Sequence, residues 1–249
     1  MIDHSSMRLG RKPAAPGVQV PHLLKHMMAV QPKAAVDWMG AVKAWDCLGN
    51  DRYGCCTAAA AFHIAQTWLS NNGFDFAPTE DATLALYAAT SDFPKEDDGA
   101  VESRVLAYWC ATGIPTSIGT ETIAFAALTP TNLNELKLSI EYFGAAYIGV
   151  GLPISAQTQE VWDVPAGGAV GDGAPGSWGG HAVPLLAYDE TGFTCVSWGK
   201  PLKMTNAFLQ TYCEEAYALI SWDWLADSGI SPPGLNMSGL QAELKAITG

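Results

Sequence analysis

The sequence predicts an α+β fold of two lobes, with helices in the first half of the chain and antiparallel strands in the second. Three observations predict it. Helical apolar patterns separated by Gly and Pro fill the first half, short strand-like apolar runs fill the second, and no internal repeat divides the 249 residues. A chain of this length fits one large domain or two lobes that share an interface.

The composition is that of a folded protein with a sizeable core. Apolar residues make up 49% of the chain and charged residues 15%, a balance that excludes intrinsic disorder. The net charge of −12 argues against nucleic acid as a partner, because acidic surfaces repel phosphates. No apolar run approaches the roughly 18–20 residues that span a bilayer, so we expect no membrane partner either.

The first six residues lack an apolar segment and a cleavage site, so the sequence predicts no secretory signal. The six cysteines contain no metal-type CxxC pair, and adjacent Cys55 and Cys56 make a poor disulfide. We therefore expect mostly buried thiols in a reducing compartment such as the cytoplasm. No metal and no cofactor are expected.

Residues 1–35 are predicted to form an N-terminal arm that lies on the body of the protein. They contain four prolines and the basic cluster of Arg8, Arg11 and Lys12, and they lack the regular apolar pattern of a domain. A single domain is predicted over 36–249. It divides into a helical lobe at about 36–130, a β-rich lobe at about 131–225 and a C-terminal extension at 226–249.

Four helices are predicted in the first part of the chain. The first, at 55–70, is Ala-rich and apolar nearly all round its first half, which is typical of a helix at the centre of a fold. Asn71-Asn72-Gly73 is a good stop for it. The second, at 79–90, has Glu80 and Asp81 in its first turn, where the helix dipole favours acids. The others are predicted at 100–112 and 133–143.

Strands are predicted in the second half of the chain. A run at 145–152 is strand-like, and a long Gly-rich loop follows it at 164–180. The two runs at 181–188 and 193–198 are joined by residues 189–192, whose length and chemistry suit a hairpin. A helix at 206–214 and a strand at 216–221 complete the pattern.

Cys56 is the candidate nucleophile. It lies where a turn enters the central helix, and the positive end of the helix dipole favours the thiolate form there. Gly54 permits a close approach by the group that Cys56 attacks. The Asn50 amide and the Cys56 backbone N–H would together form an oxyanion hole. The alternative is that Cys56 is a buried packing thiol.

His181 is the candidate base. It follows two glycines and opens a strand, so we expect an exposed ring edge that accepts the Cys56 proton and returns it to a leaving group. The alternative is a structural histidine with satisfied hydrogen bonds. His63 lies on the Cys56 helix two turns away, about 10 Å by helix rise. It is too far to be the base and is expected to be a core contact.

Several motifs, in the same order, resemble those of the papain-like cysteine peptidases. Tyr53-Gly54-Cys55-Cys56-Thr57-Ala58 falls on the family's Cys-Gly-Ser-Cys-Trp-Ala, and Val36-Asp37-Trp38 resembles the start of its mature domain. Gly180-His181-Ala182-Val183 resembles its catalytic-histidine strand, and Ser197-Trp198-Gly199 resembles its Ser-Trp-Gly. Asp98-Gly99-Ala100 resembles the glycine segment of its substrate cleft. The style is closest to uncharacterised papain-like proteins of tailed phages and bacteria.

The resemblance implies a papain-like fold and a thiol hydrolase that cleaves a peptide or amide bond. In it Cys56 is the nucleophile, His181 is the base, and Asn50 takes the place of the family's oxyanion glutamine. The residues that the resemblance places in the substrate cleft are Gly54, Asp98, Gly99 and Gly180.

The chain departs from the family pattern in ways that put efficient proteolysis in doubt. The asparagine that orients the histidine falls on Val196 or, with a shift of one residue, on Ser197, while Trp198 would shield the histidine. Asn50 is shorter than a glutamine, and no long inhibitory pro-segment precedes the domain. These departures favour a second hypothesis. In it the fold is a structural or binding module, such as a virion-associated phage component, with neighbouring protein subunits as partners.

Overall fold

Helices and strands together confirm the α+β class. The structure is a computed structural model that describes residues 2–14, 17 and 19–248. In these residues the α-helices are α1 (Cys56–Asn71), α2 (Glu80–Thr90), α3 (Glu102–Ala111), α4 (Leu133–Phe143), α5 (Asn206–Tyr212), α6 (Trp222–Asp227) and α7 (Met237–Thr248). None of these helices is both long enough and apolar enough to cross a membrane.

The strands are short in the first half of the chain and mostly longer in its second half. They are β1 (Arg11–Lys12), β2 (Val36–Asp37), β3 (Ala100–Val101), β4 (Ile114–Thr116), β5 (Gly119–Glu121), β6 (Ile123–Ala127), β7 (Ala146–Leu152), β8 (Val161–Trp162), β9 (Gly179–Tyr188), β10 (Gly192–Ser197), β11 (Lys200–Thr205) and β12 (Cys213–Ser221).

One large sheet organises the second half of the molecule. Its strand order is β6-β12-β7-β9-β10-β11-β8, and β2 pairs with the end of β9. The predicted hairpin is confirmed, because β9 and β10 pair antiparallel on either side of residues 189–191. β9 begins at Gly179 and so takes in the last two residues of the predicted Gly-rich loop. β12 begins at Cys213 and shortens the predicted helix before it.

Helix α1 is the centre of the fold, as its apolar sequence predicts. Its residues from Cys56 to Leu69 are all buried, and the helix packs against β9. Several hydrogen bonds tie it to its surroundings, and two of them link it to α4 and β7. The Trp68 indole donates to the carbonyl of Phe143 at 2.7 Å, and the Tyr147 hydroxyl donates to the carbonyl of Thr57 at 3.0 Å. The first residue of α1 therefore has a fixed position relative to the sheet.

Tertiary pairing decides the conformation of one segment predicted otherwise and of one segment for which no element is predicted. Ala100 and Val101 form β3 instead of the first turn of a helix, since they pair in parallel with β1. The apolar run Ile123–Ala127 forms β6 and pairs with β12 in the large sheet. A short apolar run of this kind does not distinguish a strand from a helix by its periodicity.

The chain before β2 has an anchored part and a part that crosses the molecule. Leu23 and Met27 are buried in the core, and Ala127 N–H donates to the carbonyl of Pro21 at 2.7 Å. Residues 2–14, the N-terminal segment, run between β3 and β9, because β1 pairs with β3 and packs on β9. At the other end of the chain, Leu240 and Leu244 of α7 are buried in the core.

Candidate active site

Cys56 and His181 come together between α1 and β9. Cys56 is the first residue of α1 and His181 is the third residue of β9. Because β9 packs along α1, both residues line one small cavity of about 10 Å³. The fold thus joins the two candidate residues, although they lie far apart in the sequence.

The ring of His181 is held by two neighbours at the end of β10. Its Nε2 lies 2.9 Å from Ser197 Oγ, and its plane stacks on the Trp198 indole with a centroid distance of 4.7 Å and an interplanar angle of 20°. Ser197 therefore takes the orienting position, while Val196 belongs to the apolar core. His181 Nδ1 has no hydrogen-bond partner among the described residues, so it is available to accept a proton.

Removing the Ser197 hydroxyl should lower the free energy of unfolding by about 1–3 kcal/mol, because His181 Nε2 would remain buried without a partner. Urea unfolding of the Ser197→Ala variant measures this loss. Ser117, an exposed serine, provides the control, and Ser117→Ala should change stability by less than about 0.5 kcal/mol. Equal effects of the two substitutions would contradict the proposed role of the Ser197 hydrogen bond.

Asn50 lies at the turn before α1 and reaches the N-terminal segment. Its Nδ2 donates to the carbonyl of Tyr53 at 3.0 Å and lies 3.5 Å from the carbonyl oxygen of Arg8. The Trp198 indole N–H donates to the same Arg8 carbonyl at 3.3 Å. The amide predicted to stabilise an oxyanion therefore contacts a carbonyl of the protein's own chain.

The N-terminal segment fills the cleft that the resemblance assigns to substrate, and Gly10 lies deepest in it. The Gly10 backbone N–H faces the Cys56 thiol, and the Gly10 carbonyl accepts a hydrogen bond of 2.8 Å from Ala100 N–H. A Cβ on Gly10 would overlap the carbonyl of Gly54, and a Cβ on Gly99 would overlap the carbonyl of Gly10. This path through the cleft requires glycine at positions 10 and 99.

The remaining candidate cleft residues contact the segment just after Gly10. A Cβ on Gly180 would overlap the carbonyl of Arg11. Lys12 Nζ lies 2.7 Å from Asp98 Oδ1. Each of the four residues assigned to the cleft thus touches the N-terminal segment, so a cleft is present and the chain itself occupies it.

The expectation of an exposed histidine edge and an open thiol is wrong, because both side chains are buried. Cys56 is 1% exposed and His181 is 0% exposed. The cover comes from the N-terminal segment, since Gly10 lies against Cys56 and the His4 ring lies 5.1 Å from the Trp198 indole. No local pattern in the sequence predicts this cover, because it depends on long-range contacts.

Burial also sets the charge state of the pair. Desolvation raises the pKa of Cys56 to about 12, although backbone N–H groups of Ala182 and Gly10 oppose the shift. Desolvation lowers the pKa of His181 to about 3, and the nearby His4 adds to the effect. The helix dipole is outweighed, so the expected thiolate is wrong for the closed state. At neutral pH the pair is a neutral thiol beside a neutral imidazole.

The two neighbouring candidates have structural roles. His63 Nε2 lies 2.9 Å from the carbonyl oxygen of Asp46, and its ring packs edge-on against Trp45. It is a core contact, as predicted. The Cys55 thiol is buried and faces the carbonyl of Leu48 at 3.7 Å.

An acidic pocket surrounds Arg11 and is not predicted from the sequence. The Arg11 side chain is 3% exposed and forms ion pairs with Glu102, Glu214 and Glu215. Two features of the sequence supply charged groups of this pocket. One is the basic cluster in the arm, and the other is the Glu214-Glu215 pair beside an apolar strand. Nothing in the sequence shows that they meet.

Comparison with solved structures identifies the fold as that of the papain-like cysteine proteases. Xylellain, a cysteine protease from Xylella fastidiosa, has a TM-score of 0.65 and 13% identity, over 86% of this chain and 96% of that one. The cysteine protease and lectin-like domains of Cwp84, a surface layer associated protein of Clostridium difficile, have a TM-score of 0.62 and 14% identity, over 93% of this chain and 57% of that one. Digestive procathepsin L 3 of Tenebrio molitor has a TM-score of 0.60 and 13% identity, over 87% of this chain and 77% of that one.

At these identities the likeness shows the fold alone. No family model matches the sequence, and no curated protein matches it. The chemistry must therefore be argued from the side chains of this chain.

Proposed function

We propose that this chain uses its papain-like fold as a thiol hydrolase that cleaves a peptide or other amide bond, and that the N-terminal segment holds it latent. The observation that carries the proposal is the bonding of His181. Its Nε2 is fixed by Ser197, while its Nδ1 has no partner among the described residues and shares a cavity with Cys56. His63 of the same cavity also has an Nδ1 without a partner among the described residues, but its Nε2 is bound to the backbone carbonyl of Asp46, whereas that of His181 is bound to the side chain at the family's orienting position.

The reaction begins when the N-terminal segment leaves the cleft. Access of water removes the desolvation that holds Cys56 and His181 neutral, so the thiol proton moves to His181 Nδ1. The thiolate attacks the carbonyl carbon of the substrate, and the Asn50 amide and the Cys56 backbone N–H donate to the oxyanion. His181 then gives the proton to the leaving nitrogen.

The product of this first half is a thioester between Cys56 and the acyl part of the substrate. Water, deprotonated by His181, attacks the thioester carbon, releases the acid and returns the thiol. Ser197 orients the ring less firmly than a carboxamide would, because a hydroxyl can accept or donate and does not fix one imidazole tautomer. We therefore expect modest turnover rather than none.

The second candidate is a structural or binding module, such as a component of a phage particle. The observation that favours it is the enclosure of the pair, since Cys56 and His181 are both buried in neutral form. In that case the N-terminal segment would be a permanent part of the fold. Neighbouring protein subunits, not a peptide substrate, would be the partners.

Thiol labelling of an opened chain separates the two candidates. Arg11→Ala removes the charged anchor of the N-terminal segment, so iodoacetamide near pH 6 should label Cys56 at least roughly tenfold faster than in the parent chain. Peptide mapping identifies the labelled thiol, and hydrolysis of a mixed peptide substrate is followed in parallel.

Three controls define the outcomes of this experiment. Adding His181→Ala to Arg11→Ala should remove the fast labelling, and adding Cys56→Ala should remove the hydrolysis. Fast labelling that is indifferent to His181, with no hydrolysis, would contradict the hydrolase and leave the structural module.

A further inference from the structure

The pocket around Arg11 holds more carboxyl groups than one arginine can pair, and burial raises the pKa of the Glu102 carboxyl well above its usual range although Arg11 opposes the shift. Three glutamates face a single guanidinium, and the side chains of Glu102 and Glu215 are almost fully buried. Both carboxylate oxygens of Glu102 have no hydrogen-bond partner among the described residues. A buried carboxylate without hydrogen bonds is unfavourable unless a cation lies beside it. The pocket is therefore suited to a cation.

Two glycines of β7 provide the space for that cation. A Cβ on Gly149 would overlap Arg11 Nε and would lie 2.7 Å from both carboxylate oxygens of Glu102. A Cβ on Gly151 would lie 2.6 Å from Glu214 Oε1. A glycine inside a strand commonly marks a close approach by another group. Here both glycines lie where β7 borders the acidic side chains.

The carboxylates are arranged for a guanidinium rather than for a simple ammonium. Nη1 of Arg11 bonds to Glu214, Nη2 bonds to Glu215, and Nε lies 3.8 Å from Glu102 Oε2. The Tyr217 hydroxyl donates to the second oxygen of Glu215 at 2.9 Å and so fixes that carboxylate. A planar fork with five N–H donors matches three separate acceptors, whereas a lysine ammonium is a compact point charge.

We propose that this pocket recognises an arginine side chain of the peptide substrate, and that Arg11 occupies the pocket while the N-terminal segment fills the cleft. The inference rests on the proposed function. Arg11 directly follows Gly10, whose backbone N–H faces the Cys56 thiol. A side chain in the pocket therefore belongs to a residue one or two positions from the bond that is cut.

The first test measures binding without any activity. Full-length Arg11→Ala leaves the pocket vacant, and n-propylguanidinium should raise its Tm by about 2–4 °C when present well above its Kd. n-Butylammonium, a cation of similar length, should raise it by less than about 1 °C. Arg8, which is half-exposed and lies 3.5 Å from Asp97, is the matched control, and Arg8→Ala should respond to neither cation.

Equal stabilisation of Arg11→Ala by the two cations, or an equal response of Arg8→Ala, would overturn guanidinium recognition. Should Arg11→Ala fail to fold, the double variant Arg11→Ala/Glu102→Gln carries the same comparison. It removes one of the buried carboxylates that Arg11→Ala leaves without a partner.

The second test uses two peptides that differ only in arginine or its neutral analogue citrulline. For the Arg11→Ala variant, kcat/KM should be about tenfold to a hundredfold larger with the arginine peptide than with the citrulline peptide. Adding Glu215→Gln should reduce that preference. Equal cleavage of both peptides would overturn the pocket assignment and leave the hydrolase intact. Cleavage of neither, with guanidinium stabilisation retained, would overturn the hydrolase and the substrate assignment but keep the cation site.

Discussion

Gly10→Val should expose Cys56 and raise its alkylation rate by up to about a hundredfold. A Cβ at this position overlaps the backbone carbonyl of Gly54, and Gly54 cannot withdraw because its N–H is held by Asp97 Oδ1 at 2.8 Å. Overpacking against fixed backbone typically costs about 1–3 kcal/mol. Since about 1.4 kcal/mol corresponds to a factor of ten, the ratio of closed to open chains falls by up to about two decades.

A time course of alkylation with iodoacetamide, quenched at set times and followed by peptide mapping, measures the effect on Cys56. Gly40→Ala is the control, because a Cβ at Gly40 has no atom within 4 Å among the described residues. It should leave the rate unchanged. A folded Gly10→Val chain whose Cys56 stays as unreactive as in the parent would contradict the view that the N-terminal segment covers the thiol.

Acid should also open the cleft. The ratio of open to closed chains should rise by up to about tenfold per pH unit below 6.5 for each histidine that gains a proton on opening. Burial lowers the pKa of His181 from 6.5 to about 3 in the closed state, and solvation in the open state returns it toward 6.5. The open state therefore binds more protons between these values. The closed state is fully favoured above pH 6.5 and loses stability as the pH falls toward 3.

The other titratable groups near His181 modify this dependence in known directions. The pKa of His4, in the N-terminal segment, is lowered by burial and by Lys200, so it acts with the same sign. Cys47 and Cys56 have raised pKa values and do not titrate in this range. His63 lines the same cavity with a pKa lowered to about 4, but its partner is the carbonyl of Asp46, outside the N-terminal segment.

Hydrogen exchange at the Ala100 amide reports the opening, because this amide donates to the Gly10 carbonyl. After correction for intrinsic exchange, its protection should fall between pH 6.5 and 4. His181→Gln should flatten the slope by about one proton, and because the carboxyls around Arg11 are the same in both chains, they cancel in the difference. An unchanged slope in His181→Gln would show that His181 does not drive the opening.

The sequence was sufficient to predict those elements whose conformation depends on their own residues. Helix α1 and the β9–β10 hairpin follow from local patterns, and the packing of α1 on β9 then brings Cys56 and His181 to the same cavity. The choice between Val196 and Ser197 needed the register of β10, because a shift of one residue moves a side chain to the other face of the sheet. Register depends on pairing across the whole sheet.

The position of the N-terminal segment could not be predicted for a different reason. Its contacts with Gly54, Gly99 and Gly180 join residues that lie far apart in the sequence, and its strand β1 is only two residues long. A basic cluster in a Pro-containing stretch is normally solvated. Only the buried carboxylates of Glu102 and Glu215, supplied by a helix and a strand of the body, place Arg11 inside.

The anchored part of the chain makes closure of the cleft a first-order process. Leu23 and Met27 are buried in the core, so a segment that has left the cleft stays tethered to the molecule by a short linker. Its effective concentration at the cleft is then on the order of millimolar, whatever the dilution of the protein. The latent fraction should consequently be the same at nanomolar and micromolar protein, which would distinguish this chain from a protease blocked by a separate inhibitor.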